Sequence, residues 1–416
     1  MNKIKIGIVG LGYFSDDFIR LFKMHPGVEE VVLADIVEER LKSSMEKHQI
    51  KRGFLGFDEM LEGAPDLDCI GIFTQRHLHG PMVIKALKAG KNVYSAVPIA
   101  CTIDEIKEIV DTVRETHKIY MMGETCYYYP CAIFCRQKYK EGGFGNFVYG
   151  ESQYYHDISE MYHDFQHTLG KDDWRMPAGI PPMFYPTHSI AMILSALSNQ
   201  HITQVSCLGL EDHNKDNIYG AGKNYWDNPF SNETALFRLS GGGVMRINEF
   251  RRVGINKPSS YITAFYGDEG SYECSVTQHT FQRGSSTEDG PRIEYLDELI
   301  NCNNYIKDKK AGTMDMTKDP CSVKYIIGYA PVHDVARLPE VYHNEGPGNH
   351  FNSHPFLVDD FARAVTSGKL PPNNAWDAAR YMIPGLIAHE SALQGGILMD
   401  VPDLGDAPSD WERLYK

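Results

Sequence analysis

Tyr185 and His188 lie three residues apart in the run Tyr185-Pro186-Thr187-His188, at or near a helix start. That spacing can put both side chains on one side of a cleft. A histidine titrates near neutrality, so it can take up and return a proton. A tyrosine does the same less readily, unless a neighbouring cation or ribose hydroxyl lowers its pKa. The two are the candidate catalytic residues of an active site. His156 and Asp157 end a strand, where they could meet the hydroxyls of a polar ring. Trp174 and Arg175 offer a stacking face and a forked donor to the same kind of ligand. His354 follows His343 and His350 and could reach the cleft as the chain returns to its last helices. No metal is expected. No carboxylate is spaced to complete a compact site with these histidines, and Cys131 and Cys135, four apart, have no second pair to finish a zinc site.

A second motif supplies a partner for proton transfer. In Gly7-Ile8-Val9-Gly10-Leu11-Gly12-Tyr13-Phe14-Ser15 a β-branched strand runs into a helix. Gly10 permits the tight turn, Gly12 lets the backbone approach a pyrophosphate, and Ser15 is small enough for close helix–strand packing. The pyrophosphate would rest on the amides at the helix start, beside Tyr13 and Phe14. Asp35 closes the second strand 23 residues beyond Gly12. A carboxylate there accepts both ribose hydroxyls and repels a 2′-phosphate, which predicts NAD rather than NADP. Glu124, just past the last strand of this region, would stand near the nicotinamide.

These residues need a scaffold, and the pattern predicts one. Strands at Lys5–Val9, Glu30–Ala34, Cys69–Phe73, Asn92–Ser95 and Ile119–Met122 alternate with helices at Phe14–Lys23, Val37–His48, Leu78–Ala89 and Ile103–Thr116. Alternation of this kind implies right-handed crossovers and a parallel sheet covered on both faces. After residue 123 the pattern changes. Helix Pro130–Glu141 leads into strand Phe147–His156. Period-two strands follow at Ile202–Gly209, Glu233–Leu239, Val244–Phe250, Ser260–Tyr266 and Ser271–Val276, with helices at Pro355–Thr366 and Ala375–Leu393. The fold class is α/β: a Rossmann domain over 1–123, then an α+β domain over 124–416 with an open, mainly antiparallel sheet. The polar stretch 283–350 reads as an insertion or a covering loop.

Composition narrows the partners. With 41 Lys and Arg against 55 Asp and Glu, the net charge of −14 leaves little for a phosphate-binding face, so nucleic acid is not expected. No apolar run approaches the ~20 residues of a membrane helix, and no signal peptide is read at the start. Nine scattered cysteines without a C-x-x-C pair suit reduced thiols in the cytoplasm.

On these residues the chain resembles the Gfo/Idh/MocA oxidoreductases. The marks are Gly10-x-Gly12, Asp35, Thr74 with His79 in Phe73-Thr74-Gln75-Arg76-His77-Leu78-His79, the segment Ala86–Tyr94, and Gly267-Asp268-Glu269-Gly270. The resemblance implies NAD(P), polyol or sugar substrates, cofactor contacts from Thr74, His79 and Pro98, and a homodimer or homotetramer paired through the open sheet face. One departure matters. The family's Glu-Lys-Pro is here Ala96-Val97-Pro98. A valine exchanges no proton, so another residue must replace the lysine. The chain is similar in this to the family's NAD-dependent glycosidases, typified by α-N-acetylgalactosaminidases. Gly123-Glu124-Thr125-Cys126-Tyr127-Tyr128, Tyr155-His156-Asp157, Trp174-Arg175 and Tyr185-Pro186-Thr187-His188 point the same way. Three functions follow as expectations. The first is an NAD-dependent oxidoreductase moving hydride at a sugar ring carbon, with C3 as the expected position. The second is a glycosidase that oxidises, eliminates, adds water and re-reduces, recycling its NAD. The third is a non-catalytic NAD- or sugar-binding relative.

Overall fold

The computed structural model describes residues 3–158, 162, 166, 174–197, 199–254, 259–274, 279–283, 292–300, 329–345 and 350–415. Six parallel strands form the first sheet: β1 (Ile4–Val9), β2 (Val28–Ala34), β3 (Gly53–Phe54), β4 (Cys69–Ile72), β5 (Asn92–Ser95) and β6 (Tyr120–Met122), in the order β3-β2-β1-β4-β5-β6. The strands are apolar along nearly their whole length: Ile6, Ile8, Ile70, Ile72 and Val93 are fully buried, as expected of a sheet covered on both faces. The order reverses between β1 and β4, and a doubly wound sheet binds its ligand in the crevice at that switch point. Gly10, Thr74, Pro98 and Glu124 all follow the carboxyl ends of these strands.

Among the described residues the second sheet has nine strands. They are β7 (Phe147–Tyr155), β8 (Ile202–Glu211), β9 (Phe230–Leu239), β10 (Val244–Phe250), β11 (Ser259–Gly267), β12 (Gly270–Cys274), β13 (His279–Arg283), β14 (Arg292–Tyr295) and β15 (Met399–Asp400), in the order β14-β13-β12-β11-β7-β10-β9-β8-β15. Among the described residues only the β7–β10 pairing of this sheet is parallel, with Val244 opposite Tyr149 and Phe250 opposite Tyr155. Alternation sorts the side chains. Val205, Cys207, Ala235, Phe237, Met245 and Ile247 face the helices, while Leu208 and Leu236 stand 65% and 51% exposed on the open face.

Strand β14 and the short helix Asp297–Ile300 fall in the stretch expected to lack clear elements. β14 alternates over only four residues, too few to stand out from its polar flanks. The expected strand over Ser271–Val276 ends at Cys274, and Val276 lies outside the described residues, as does most of the proposed covering loop. The C-terminal helices tie the sheets together. His354–Ser367 packs on the first helix, Tyr13–Met24, and on β1; Ala375–Leu393 packs against both β8 and Ile103–Thr116.

Candidate active site

Gly10 turns the chain at φ +89°, and a Cβ there would lie 2.7 Å from the Phe73 carbonyl carbon and oxygen, so only glycine fits. Gly12 is different. It has an ordinary φ of −81°, and a Cβ on it would meet nothing within 4 Å. That open space lies over the start of helix Tyr13–Met24, whose first-turn amides have no side-chain cap. Uncapped amides beside an open glycine make a cradle for a diphosphate. Asp35 is 4% exposed, and it accepts hydrogen bonds from the Leu11 and Val37 amides, both at 2.8 Å. The carboxylate thus holds the glycine turn to the end of β2. Ile36 (84% exposed) and Tyr13 (85%) project beside this pocket as apolar faces for a planar ring. The residues fit a dinucleotide.

Phe14 packs edge-on against His350 and His354 and leans on Phe73. His79 is buried, with Nδ1 2.7 Å from the Pro98 carbonyl and Nε2 3.1 Å from the Thr74 carbonyl. Both ring nitrogens face main chain, so His79 spaces the two loops that bear Thr74 and Pro98. The Val97–Pro98 peptide is cis.

Past the carboxyl end of β6 stands a carboxylate–imidazole pair. Glu124, fully buried, accepts at Oε1 from the Cys126 amide at 2.9 Å and from His188 Nδ1 at 2.7 Å. Its Oε2 is buried without a partner. Burial alone would lower the His188 pKa, but the Glu124 charge and the nearby Cys126 thiol outweigh it, and the imidazole is raised well above its ordinary value. The helix bearing His188, Thr187–Leu194, is pinned to the inner sheet face. Ser152 Oγ donates to the Ser189 carbonyl at 2.5 Å, and Ser189 donates to Glu249. Glu249 also takes Arg251 Nη2 at 2.9 Å, and burial pushes its carboxyl up to about 7.

Tyr185 lies beside His188, ring centroids 5.5 Å apart, and its hydroxyl points to the Val97 carbonyl at 3.4 Å. Val97 occupies the place of the family's lysine, yet a cation is present. The Arg76 guanidinium sits 4.5 Å from the Tyr185 ring centroid. Tyr154 completes the wall, 4.9 Å from the His188 ring centroid and stacked on Tyr185 at 6.2 Å, with the Arg251 guanidinium 4.8 Å from its own centroid. Its hydroxyl contacts His156 Nδ1 at 2.6 Å. Burial, helped by Arg251, Arg76 and His188, drives the His156 imidazole down to about 3, so it is a neutral ligand rather than a cation.

The structure therefore brings Tyr185, His188, Glu124 and His156 together. Asp157 accepts from the Val253 amide at 3.3 Å. Trp174 is buried in a small cluster with Ala178 and Ile218, and Arg175 stacks on it at 4.5 Å while donating to the Asp216 carbonyl at 3.0 Å. Among the described residues no contact joins Trp174 or Arg175 to the Tyr185–His188 group. His354 is 1% exposed, and its ring is held by Asp17 and His350. His343 bonds the Leu338 carbonyl. Sequence reasoning missed Arg76, Tyr154, Arg251 and His350. Arg76 stood inside a quoted motif as a cation near the missing lysine, and His350 was named only as a neighbour of His354; Tyr154 and Arg251 carried no local signal. Glu124, Cys126 and His188 also hold potential metal-ligand atoms within 4.8 Å of one another. The short Glu124–His188 hydrogen bond already engages one of those carboxylate oxygens and one imidazole nitrogen, an arrangement suited to a proton.

Known proteins agree with this architecture. Residues 4–124 match the GFO_IDH_MocA family, described as an oxidoreductase family with an NAD-binding Rossmann fold. A glycosyl hydrolase family 109 protein of Streptomyces filamentosus is 24% identical over 436 aligned residues, spanning 99% of this chain and 79% of that one. An alpha-N-acetylgalactosaminidase of Shewanella oneidensis is 27% identical, over 46% of this chain and 44% of its own length. Among solved structures, levoglucosan dehydrogenase in complex with NADH and L-sorbose shares the fold at a TM-score of 0.72 and 17% identity, covering 97% of this chain and all of that one.

Proposed function

We propose, on the premise that residues 4–124 carry the NAD-binding oxidoreductase fold of the Gfo/Idh/MocA family, that this enzyme acts on a sugar or glycoside with His188 as its acid–base group. Bound NAD would supply a hydride acceptor for a ring carbon. The Leu11–Tyr13 turn would hold its diphosphate, Asp35 its ribose, and Ile36 and Tyr13 would flank its adenine. One observation carries the reading: a buried Glu124–His188 pair, 2.7 Å apart, standing past the carboxyl end of β6 beside the crevice where this fold binds its ligand.

The residues divide the work as follows. Glu124 fixes the His188 ring by accepting from Nδ1, which leaves Nε2 for the reacting hydroxyl, the logic of any carboxylate–histidine pair. Tyr185 borders the same hydroxyl and is steadied by Arg76, which supplies the positive charge absent at Val97. Tyr154, Arg251 and His156 wall the pocket with polar edges. Residues 124–416 would form the substrate and oligomer part. The open face, with Leu208, Leu210 and Leu236 exposed, would pair two copies. Cys69, Cys101, Cys126, Cys131, Cys135 and Cys207 are free thiols, which suits a cytoplasmic protein. Among the described residues no helix is long and apolar enough to cross a membrane.

A net glycosidase is the second reading. Val97 in place of lysine favours it, as do two relatives named as glycosidases. One experiment separates them. The purified protein is mixed with catalytic NAD and a panel of p-nitrophenyl glycosides and free sugars in deuterated water. NADH rising in proportion to sugar marks a dehydrogenase. p-Nitrophenol release with deuterium at C2 of the product marks the recycling glycosidase. Neither signal across the panel refutes both readings and leaves a binding protein. Size-exclusion chromatography of Leu236→Glu tests the dimer face; an elution volume equal to that of the wild type removes it.

A further inference from the structure

A second titratable chain reaches the Thr125–Tyr128 turn beside Glu124. Asp17, on helix Tyr13–Met24, accepts from His354 Nδ1 at 2.7 Å, and His354 Nε2 lies 3.1 Å from His350 Nδ1. Asp17 is also paired with Arg20, itself bridged to Glu345. His350 packs edge-on against Phe14, and its short helical turn touches the Thr125–Tyr128 turn beside Glu124. Burial, and then the positive charge that His188 can carry, disfavour protonation of His350.

The hydrogen positions in this chain follow from chemistry. An ionised carboxylate only accepts, so Asp17 requires a proton on His354 Nδ1. A neutral His354 then offers a lone pair at Nε2, and His350 must donate to it from Nδ1. The ring at the crevice end is left with its lone pair on Nε2. Asp17 stays ionised throughout. Burial raises its carboxyl, but His354 and Arg20 more than offset this and bring it down to about 2. His350 is kept neutral by burial and by the neighbouring imidazoles.

We propose that His350 is a second acid–base group of the active site, held as a base at Nε2 by His354 and Asp17, which are positioning residues. It would take a proton from the substrate, the bonding electron pair remaining on the substrate, and return that proton later in the cycle. No oxidant or other reactant is needed for this step. The imidazolium so formed is stabilised through His354 by the Asp17 charge. This rests on the sugar-processing reading, where removing a hydroxyl proton and removing a carbon-bound proton call for two bases at different positions.

The test has two arms. The first needs no substrate: 15N spectra of histidine-labelled, NAD-loaded protein, with His350 assigned by its loss in His350→Gln. The Nδ1–H tautomer is expected in the wild type, changing to a mixture with Nε2–H in His354→Gln and in Asp17→Asn. Two variants guard against one that fails to fold. Finding the Nε2–H tautomer in the wild type, or no change in either variant, overturns the proposal. In the second arm His350→Gly should lower kcat about 100-fold with KM nearly unchanged, and added imidazole should restore part of it. A loss confined to KM, or imidazole without effect, overturns it as well. A chain that turns over no glycoside but keeps the Nδ1–H tautomer sinks the functional reading and leaves the relay standing.

Discussion

Glu124→Gln isolates charge from geometry at the centre of the site. Glu124 Oε1 accepts from both Cys126 and His188, while Oε2 is buried and unpartnered. A glutamine can keep its carbonyl on the two donors and turn its amide to the empty side. The hydrogen bond survives, the negative charge goes, and an unsatisfied buried NH2 is left, at a cost of about 1–3 kcal/mol. The largest influence that raises the His188 pKa is that charge, acting against burial. Without it burial dominates, and the imidazole falls below its usual value near 6.5. Each unit of that fall is about 1.4 kcal/mol of lost preference for the imidazolium.

The signs follow. In the wild type the raised His188 pKa gives stability that is fully present below about pH 6.5 and is lost as pH climbs through the raised value. Activity that needs His188 as a base rises over that same alkaline range. In Glu124→Gln the acid limb of kcat against pH should move down by more than one unit. The plateau should drop about 10- to 100-fold, because about 1.5–3 kcal/mol of charge-assisted bonding to the imidazolium is gone. Urea unfolding should lose most stability below pH 6.5, and at alkaline pH only the about 1–3 kcal/mol of the unsatisfied amide. The assays are initial rates from pH 5 to 10 and parallel urea titrations, with NAD affinity as a folding control. An acid limb that stays in place while NAD still binds would show that Glu124 does not govern the ionisation on which the rate depends, and the proposed role of His188 would fall.

Other outcomes follow from the same geometry. His188→Ala and Tyr185→Phe should each abolish turnover while leaving NAD bound by fluorescence titration; full turnover in both removes them from the site. Gly12→Val should fold at a cost of about 1 kcal/mol for a β-branched residue at the helix N-cap, since a Cβ there meets nothing within 4 Å, yet weaken NAD binding more than tenfold. Gly10→Ala should instead lose stability by about 2 kcal/mol or more, because its φ is positive and its Cβ strikes the Phe73 main chain. Arg76→Gln should lower kcat about tenfold, because the guanidinium 4.5 Å from the Tyr185 ring centroid is the positive charge that stands in for the missing lysine; an unchanged kcat separates Arg76 from the chemistry.

What the sequence alone determined is local. A tight turn, a glycine with room above it, a carboxylate ending the next strand and the alternation of strands with helices are all properties of neighbours along the chain. The Gly10-x-Gly12 turn, Asp35 and nine elements of the first sheet layer could therefore be read before any fold was known. The shift to period-two strands after residue 123 was legible for the same reason. What only the tertiary structure decided are the pairings. Glu124 and His188 are 64 residues apart, Tyr185 and Val97 are 88, and His354 and Asp17 are 337. Each residue type was visible, and none of the partners was. A hydrogen bond depends on distance in space. Which loops meet over a crevice is set by strand order and by the helices that fold back across it, to which separation along the chain contributes nothing. His354 shows the consequence: spacing pointed it at the cleft, but helix packing gave its ring to Asp17 and left His350 facing the site.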